Sequence, residues 1–374
     1  MQSLAAAAKL LDNVLEENGA AALLAELGFG QPVKLTDGEA ESIGLPSDAG
    51  PYAISQGTGS IRALNVTVKE SGALRSEVAR LASRLISRAP HLLWIVVASD
   101  KSTREFAIAA CDPSRQRARV AALVAKPGGI AASDAETVCA LAAARFDYDL
   151  LIQSRWLEIL GRDSVGQRFF RALEASVAHL AADLSPAPSR EAASELALLN
   201  ASRLLFLSFL ETKGWLNRDH GFLGNQYADC MMKGGGYHKR VLEPLFFGTL
   251  NTHPKNRSQR ARSFGRVPFL NGGLFSRAHL ERRYAQSTFS DEALGALFAD
   301  VLTRYRFTAR EDNAVWSEAA VDPEMLGRTF ESLMSASTRK KSGSFYTPQS
   351  LVSQLTRSAL THGLVNAGVS TGCV

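Results

Sequence analysis

Two apolar runs, Ile61–Lys69 and His91–Ser99, bracket a stretch in which Leu74, Val78, Leu81, Leu85 and Ile86 recur at helical spacing. Alternation along a run predicts a strand with one buried face, and spacing of three and four predicts a helix with an apolar stripe. The order strand, helix, strand confines this part of the chain to helix-on-sheet packing, because neither stripe nor face can be left in water. Phe106–Cys111 supplies a further strand candidate. A long Ala-rich helix is predicted between Leu4 and Leu27, followed by a Gly/Pro-rich passage from Gly28 to Gly59. Residues 1–148 therefore read as a small α/β domain.

The pattern changes after residue 148. Helical spacing runs through Ser164–Ala182, Ala192–Lys213 and Asp291–Tyr305, and Ser185-Pro186-Ala187-Pro188-Ser189 separates the first two. Asp322-Pro323 then opens a helix to about Glu331, since proline at a first helical position lacks only an N–H that would have no partner there. The expected fold is α+β and predominantly helical, with an α/β domain at 1–148, a helical domain at 149–320 and a further segment at 321–374. With 46% of 374 residues hydrophobic, about two or three cores of ordinary size can form.

Composition argues against several functional classes. Cys111, Cys139, Cys230 and Cys373 are scattered without a Cys-x-x-Cys pair, so neither a zinc site nor a disulfide framework is indicated. The seven histidines show no metal-ligand spacing. Leu4–Leu27 carries Glu16, Glu17 and Glu26 and no basic leader, which fits a helix and not a signal peptide. No uncharged apolar run approaches the length of a membrane span, so no membrane association and a cytoplasmic location are expected.

Charge is concentrated in one region. Between Arg203 and Arg283 stand 14 basic residues against five acidic ones, a net of +9 in a chain of net +5, which leaves −4 for the rest. Lys255-Asn256-Arg257-Ser258-Gln259-Arg260-Ala261-Arg262 has no apolar periodicity and lies between Pro254 and Pro268, so an exposed loop is expected. Lys255, Arg257, Arg260, Arg262 and Arg266 are then candidate contacts to the phosphates of double-stranded DNA, which fix position without reading sequence. A solvated loop is the other use of the same residues. Asn271-Gly272 between apolar neighbours reads as a tight turn. Lys233-Gly234-Gly235-Gly236-Tyr237-His238-Lys239 lacks the spacing of a phosphate-binding loop and is expected to be a flexible surface loop.

Near the end of the sequence, Arg339-Lys340-Lys341-Ser342-Gly343-Ser344-Phe345-Tyr346-Thr347-Pro348 precedes Leu351, Val352 and Leu355. Pro348 starts a helix, whose N-terminus offers free N–H groups and a partial positive charge. With the aromatic faces of Phe345 and Tyr346, such an end suits a nucleoside with an amino-acid tail. A basic loop that simply caps a helix is the alternative.

The ordered pattern Leu326-Gly327-Arg328-Thr329-Phe330-Glu331, Arg339-Lys340, then Gly343-Ser344-Phe345-Tyr346-Thr347-Pro348 resembles motif X of the γ-class DNA adenine N6-methyltransferases. The likeness is to single-chain type IIG restriction–modification enzymes and to methyltransferases of BREX and DISARM defence systems. Two upstream stretches resemble the same proteins, Arg203 to Leu216 and Leu245-Phe246-Phe247 followed by Val267 to Phe275. The resemblance covers roughly residues 195 to 360 and leaves the first 150 residues unmatched. It implies S-adenosylmethionine as cofactor, with Phe345, Tyr346, Thr347 and Pro348 forming one wall of its pocket, and adds Arg339, Lys340 and Lys341 to the DNA contacts.

Those enzymes hold the donor in a DPxxGSGxF loop at the start of a Rossmann-like sheet and position the target amine with NPPY. This sequence reaches Gly372-Cys373-Val374 with neither. Methyl transfer depends on holding donor and amine in line, so the chain alone is expected to be inactive. The expected partners are double-stranded DNA and a methyltransferase catalytic subunit or other defence-system proteins, the chain being a split subunit or a piece of a longer enzyme. The alternative is a non-catalytic interaction subunit with a vestigial motif X. Type IIG enzymes also suggest a PD-(D/E)xK nuclease in the first domain. Lys69 fits that pattern, but Thr67 stands where a metal-binding acid is needed, so a degenerate nuclease-like domain is expected.

Overall fold

The structure is a computed structural model that describes residues 3–46, 50–112, 118–146, 148–270, 272–310, 315–333 and 349–366. It falls into two compact units, Met1–Pro323 and Glu324–Val374. The chain is α+β and mostly helical, built around one mixed sheet.

Among the described residues the sheet of the first unit has seven strands in sequential order: β1 Val33–Lys34, β2 Tyr52–Gln56, β3 Ile61–Thr67, β4 Leu93–Asp100, β5 Glu105–Asp112, β6 Arg119–Ala125 and β7 Trp316–Glu318. Pairs β3/β4 and β6/β7 are parallel, and the others are antiparallel. A parallel neighbour requires a crossover, and the helix Leu74–Arg88 supplies it between β3 and β4. Its buried stripe, Leu74, Val78, Leu81, Ala82 and Leu85, packs on Leu64, Val66, Trp94, Val96 and Ala98. The alternate residues Ile61, Ala63, Ile95, Val97, Phe106 and Ile108 are also buried, because the helix Asp149–Ile159 covers the other face at β4, β5 and β6. Gln153 of that helix donates to the Cys111 carbonyl at 2.6 Å, and burial pushes the Cys111 thiol up to about 12.

The three strands read from the sequence are β3, β4 and β5. The others lacked a local signal: β2 lies in the Gly/Pro-rich passage, β6 has alanine at three of its seven positions, and β7 comes from far downstream. Buried ion pairs hold that distant segment in place. Arg75 meets Glu318 through both Nε and Nη2, at 3.0 and 3.1 Å, and Arg162 meets Asp322 at 3.0 Å. Arg306 pairs with the fully buried Asp134.

The single helix expected over Leu4–Leu27 is two helices, Leu4–Asp12 and Gly19–Glu26. Asn18 at φ +62° turns the chain between them, and a Cβ at Gly19 would lie 1.8 Å from the Asn13 carbonyl oxygen. Alanine favours helix everywhere, so its periodicity could not show where asparagine and glycine break it.

The helices Arg162–Asp183 and Arg190–Thr212 pack on each other. Arg190–Thr212 is long and apolar enough by composition to cross a membrane, but 67% of its apolar window is buried in the fold, which marks it as a core helix. The expected helix Asp291–Tyr305 is α-helical over Asp291–Leu297 and continues as a π-helical turn over Phe298–Leu302.

The second unit begins one residue into the helix Pro323–Leu333, which Arg328–Glu324 braces at 2.6 Å, and includes the helix Gln349–Asn366, which exposes Leu351, Val352, Leu355 and Leu360.

Candidate nucleic-acid interface

The cationic region is organised around the helix Arg190–Thr212, whose start is capped by Ser189 Oγ accepting from the Ala192 amide. Arg203, midway along it, is 1% exposed. Its Nε donates to the Leu274 carbonyl at 2.6 Å and its Nη2 to the Ser276 carbonyl at 3.0 Å. Both terminal nitrogens reach Glu281, and the guanidinium sits over the rings of Phe246 and Phe247. Arg203 is thus an internal staple that ties the segment after Pro268 to the core helix.

Arg257 works in the same way and leaves the set of DNA contacts. It is 8% exposed, and its guanidinium donates to three backbone carbonyls, those of Thr252 at 3.2 Å, Val267 at 2.9 Å and Pro268 at 3.1 Å. The expected loop is also more ordered than its composition implied. Pro254–Asn256 forms a 3-10 turn, and Ser258 caps the short helix Gln259–Arg262 at the Ala261 amide. Ala261 and Phe264 are buried, which a periodicity search over eight residues could not detect.

Lys255, Arg260, Arg262 and Arg266 remain exposed along this segment. The Arg260 guanidinium lies over the Phe264 ring and donates to the Arg240 carbonyl at 2.7 Å, so the charged group itself is oriented while the residue stays exposed. Three other cations of the region are neutralised locally. Lys239 and Arg277 share Glu243, at 2.6 and 2.9 Å, and Lys233 pairs with Asp229 at 2.7 Å. The glycine-rich segment expected as a loop over Lys233–Lys239 is a hydrogen-bonded turn that runs into a helix at Tyr237. Gly234, Gly235 and Gly236 all take positive φ, and Asp291 accepts from the Gly236 and Tyr237 amides at 2.6 and 2.7 Å. Asp291, more than fifty residues downstream, gave no local sign of this.

A second exposed group adjoins the row, and sequence reading assigned it no role. The helix Arg190–Thr212 ends on Gly214 at φ +69°, with the Gly214 amide donating to the Glu211 carbonyl and the Trp215 amide to the Leu210 carbonyl. This paired closure is the usual glycine helix stop, and it throws the next side chain outside the helix. Trp215 is accordingly 55% exposed, with the Lys213 ammonium 5.8 Å from its ring centroid. Asn217 and Arg218 follow at φ +55° and +58°. Asn217 is joined to Arg266 twice, its amide donating to the Arg266 carbonyl at 2.9 Å and its Oδ1 accepting from the Arg266 amide at 3.1 Å. The Trp215 loop and the basic segment are therefore one surface. Glycine after an apolar helix, followed by tryptophan, was the available signal.

Beneath this loop, Glu211 accepts from the Leu223 amide at 2.7 Å. Burial pushes its carboxyl up to about 7, against the lowering effect of that hydrogen bond.

In the first part of the chain, Thr67 Oγ1 lies 3.3 Å from Ser99 Oγ. Asp100 is committed to its loop, accepting from Ser102 Oγ and from the Gly72, Ser102 and Thr103 amides. Burial pushes its carboxyl up, but those donors outweigh burial and hold it well below the usual range. Among the described residues, no group of three or more His, Cys, Asp or Glu could hold a metal ion. Arg339, Lys340, Lys341, Phe345, Tyr346, Thr347 and Pro348 lie outside the described residues.

One comparison with known proteins bears on the same region. A family described as a domain of unknown function, DUF7814, matches residues 182–315, which include the core helix, both arginine staples and the exposed cations. The chain is similar to a "Putative type II restriction enzyme and methyltransferase" of Methanocaldococcus jannaschii, 29% identical over 174 residues. That match spans 44% of this chain and 14% of the relative's length. The similarity relates the chain to restriction–modification proteins. No solved structure matches it significantly.

Proposed function

We propose that this chain is the DNA-handling and cofactor-flanking region of an S-adenosylmethionine-dependent DNA adenine N6-methyltransferase, in a restriction–modification or phage-defence system of the type IIG, BREX or DISARM kind. The observation that carries the reading is the sorting of the cations. Arg203 and Arg257 are consumed inside the fold, while Lys255, Arg260, Arg262 and Arg266 stand exposed in a chain that is similar, over part of its length, to a restriction and methylation protein. A row that is exposed and has no acidic partner among the described residues suits a polyanion. A DNA substrate accords with the cytoplasm. The donor-facing role of Phe345, Tyr346, Thr347 and Pro348, and the DNA contacts of Arg339, Lys340 and Lys341, rest on sequence resemblance alone. The methyl-transfer machinery itself belongs to a catalytic sheet supplied in the same enzyme or by a partner subunit. In this reading the first 148 residues serve as a structural or partner-binding domain, which is supported by the uncharged Thr67 at the position where a nuclease needs an acid.

The test is the salt dependence of duplex binding. Each phosphate contact contributes about 0.9 to the slope of log K against log salt, so replacing Lys255, Arg260, Arg262 and Arg266 together by Ala lowers the slope by roughly 3 to 4. Binding that is unchanged in slope and affinity would remove this face from the DNA.

A further inference from the structure

We infer that Trp215 is a stacking platform for an unpaired nucleobase, framed by Lys213, Arg218 and Arg266, which take the flanking phosphates. The inference rests on the DNA-binding reading and narrows it to a substrate feature.

Three observations carry it. Trp94, Trp156 and Trp316 are buried at 1, 0 and 8% exposure, whereas Trp215 exposes 55% of its surface, so one tryptophan alone is presented to solvent. Its position is built and not incidental. The glycine closure at Gly214 and the double link between Asn217 and Arg266 hold the loop on both sides, and a Cβ at Gly265 would lie 2.4 Å from Asn217 Oδ1, so the close approach needs glycine. The surroundings are cationic. Lys213 stands over the indole, and Arg218 and Arg266 are exposed on the joined segments. The loop's acid, Asp219, is occupied internally, accepting from the Gly221 amide and from Asn225 Nδ2 at 2.9 Å each.

A flat aromatic face beside several cations matches a nucleotide, whose base is flat and whose phosphate is anionic. In a fully paired duplex the faces of interior bases are already stacked on their neighbours. The platform therefore favours DNA in which a base is unpaired, such as a single-stranded stretch or a one-nucleotide bulge. Stacking of this kind needs no hydrogen-bond readout and so tolerates any base.

The experiment titrates the full chain, by anisotropy, with two labelled DNAs that differ by a single-nucleotide bulge, using wild type, Trp215→Ala and Trp215→Phe. Because Trp215 is the exposed indole, quenching of its fluorescence on bulge binding reports the contact directly. Wild type is expected to prefer the bulged duplex and to be quenched by it. Trp215→Ala should lose about 5- to 150-fold in affinity for the bulge, which is the range for removing one stacked base. It should change paired-duplex binding by less than about twofold, and Trp215→Phe should keep most of the preference. Equal losses on both DNAs, or no loss, would overturn the platform while leaving the cationic face intact. Wild type failing to bind either DNA would overturn the broader reading together with this one. Self-association that disappears in Trp215→Ala, with DNA selectivity unchanged, would assign the indole to a second copy of the chain and likewise overturn the proposal.

Discussion

The sheet and the cationic region bury backbone in different ways. In the sheet, backbone groups pair strand to strand, and Leu74, Val78, Leu81 and Leu85 seal one face with apolar surface alone. In the cationic region much of the chain between Thr252 and Ser276 is irregular, and its carbonyls need other donors. Two arginines provide them: Arg203 serves Leu274 and Ser276, and Arg257 serves Thr252, Val267 and Pro268. A guanidinium has five donors in a fixed fork, which lets one side chain serve several carbonyls at once. The lesson is that charge count does not equal charge at the surface. Arginine in this region does two jobs, and only burial separates them.

The largest test of that contrast sets one staple against one apolar truncation. Arg203→Ala is expected to cost about 3 to 5 kcal/mol, because it leaves two carbonyls without their arginine donor and the Glu281 carboxylate without its cation, with only the Ala278 amide among the described residues still donating to it. Leu85→Ala should cost about 2 to 5 kcal/mol through lost burial and a cavity. Chemical denaturation of both variants decides the point. A cost below about 1 kcal/mol for Arg203→Ala, with Leu85→Ala in its expected range, would mean that apolar packing holds both regions alike.

Next in size is a pH effect confined to the helical side. The Glu211 carboxyl is raised to about 7 by burial, so the folded protein binds its proton more tightly than the unfolded chain. Stability is therefore lost as pH rises from about 4.5 to 7, and the full penalty applies above that. Glu211→Gln keeps an oxygen for the Leu223 amide and removes the charge. It should match wild type near pH 4.5 and exceed it by about 2 to 3 kcal/mol at pH 8. A variant less stable than wild type at pH 8 would show that the ionised carboxylate is wanted.

The smallest effect is expected at the surface. Replacing Lys255, Arg260, Arg262 and Arg266 by Ala should change stability by no more than about 0.5 kcal/mol per site, despite the change in DNA binding. A larger loss would place these side chains among the staples.

The sequence by itself determined the elements whose signal is local. The strands at Ile61–Thr67, Leu93–Asp100 and Glu105–Asp112 and the helix Leu74–Arg88 follow from periodicity, as do the helices Arg162–Asp183 and Arg190–Thr212. The region of cationic excess was equally plain. Tertiary structure alone decided which cations are free, because Arg257 and Arg262 are indistinguishable along the chain, and only the carbonyls of Val267 and Pro268 draw one of them inward. It also decided that β7 joins the sheet from almost two hundred residues beyond β6, and that Asp291 closes the glycine segment at Gly236. Partners so far apart leave no mark in a local window, since the bond that selects them exists only once the chain has folded.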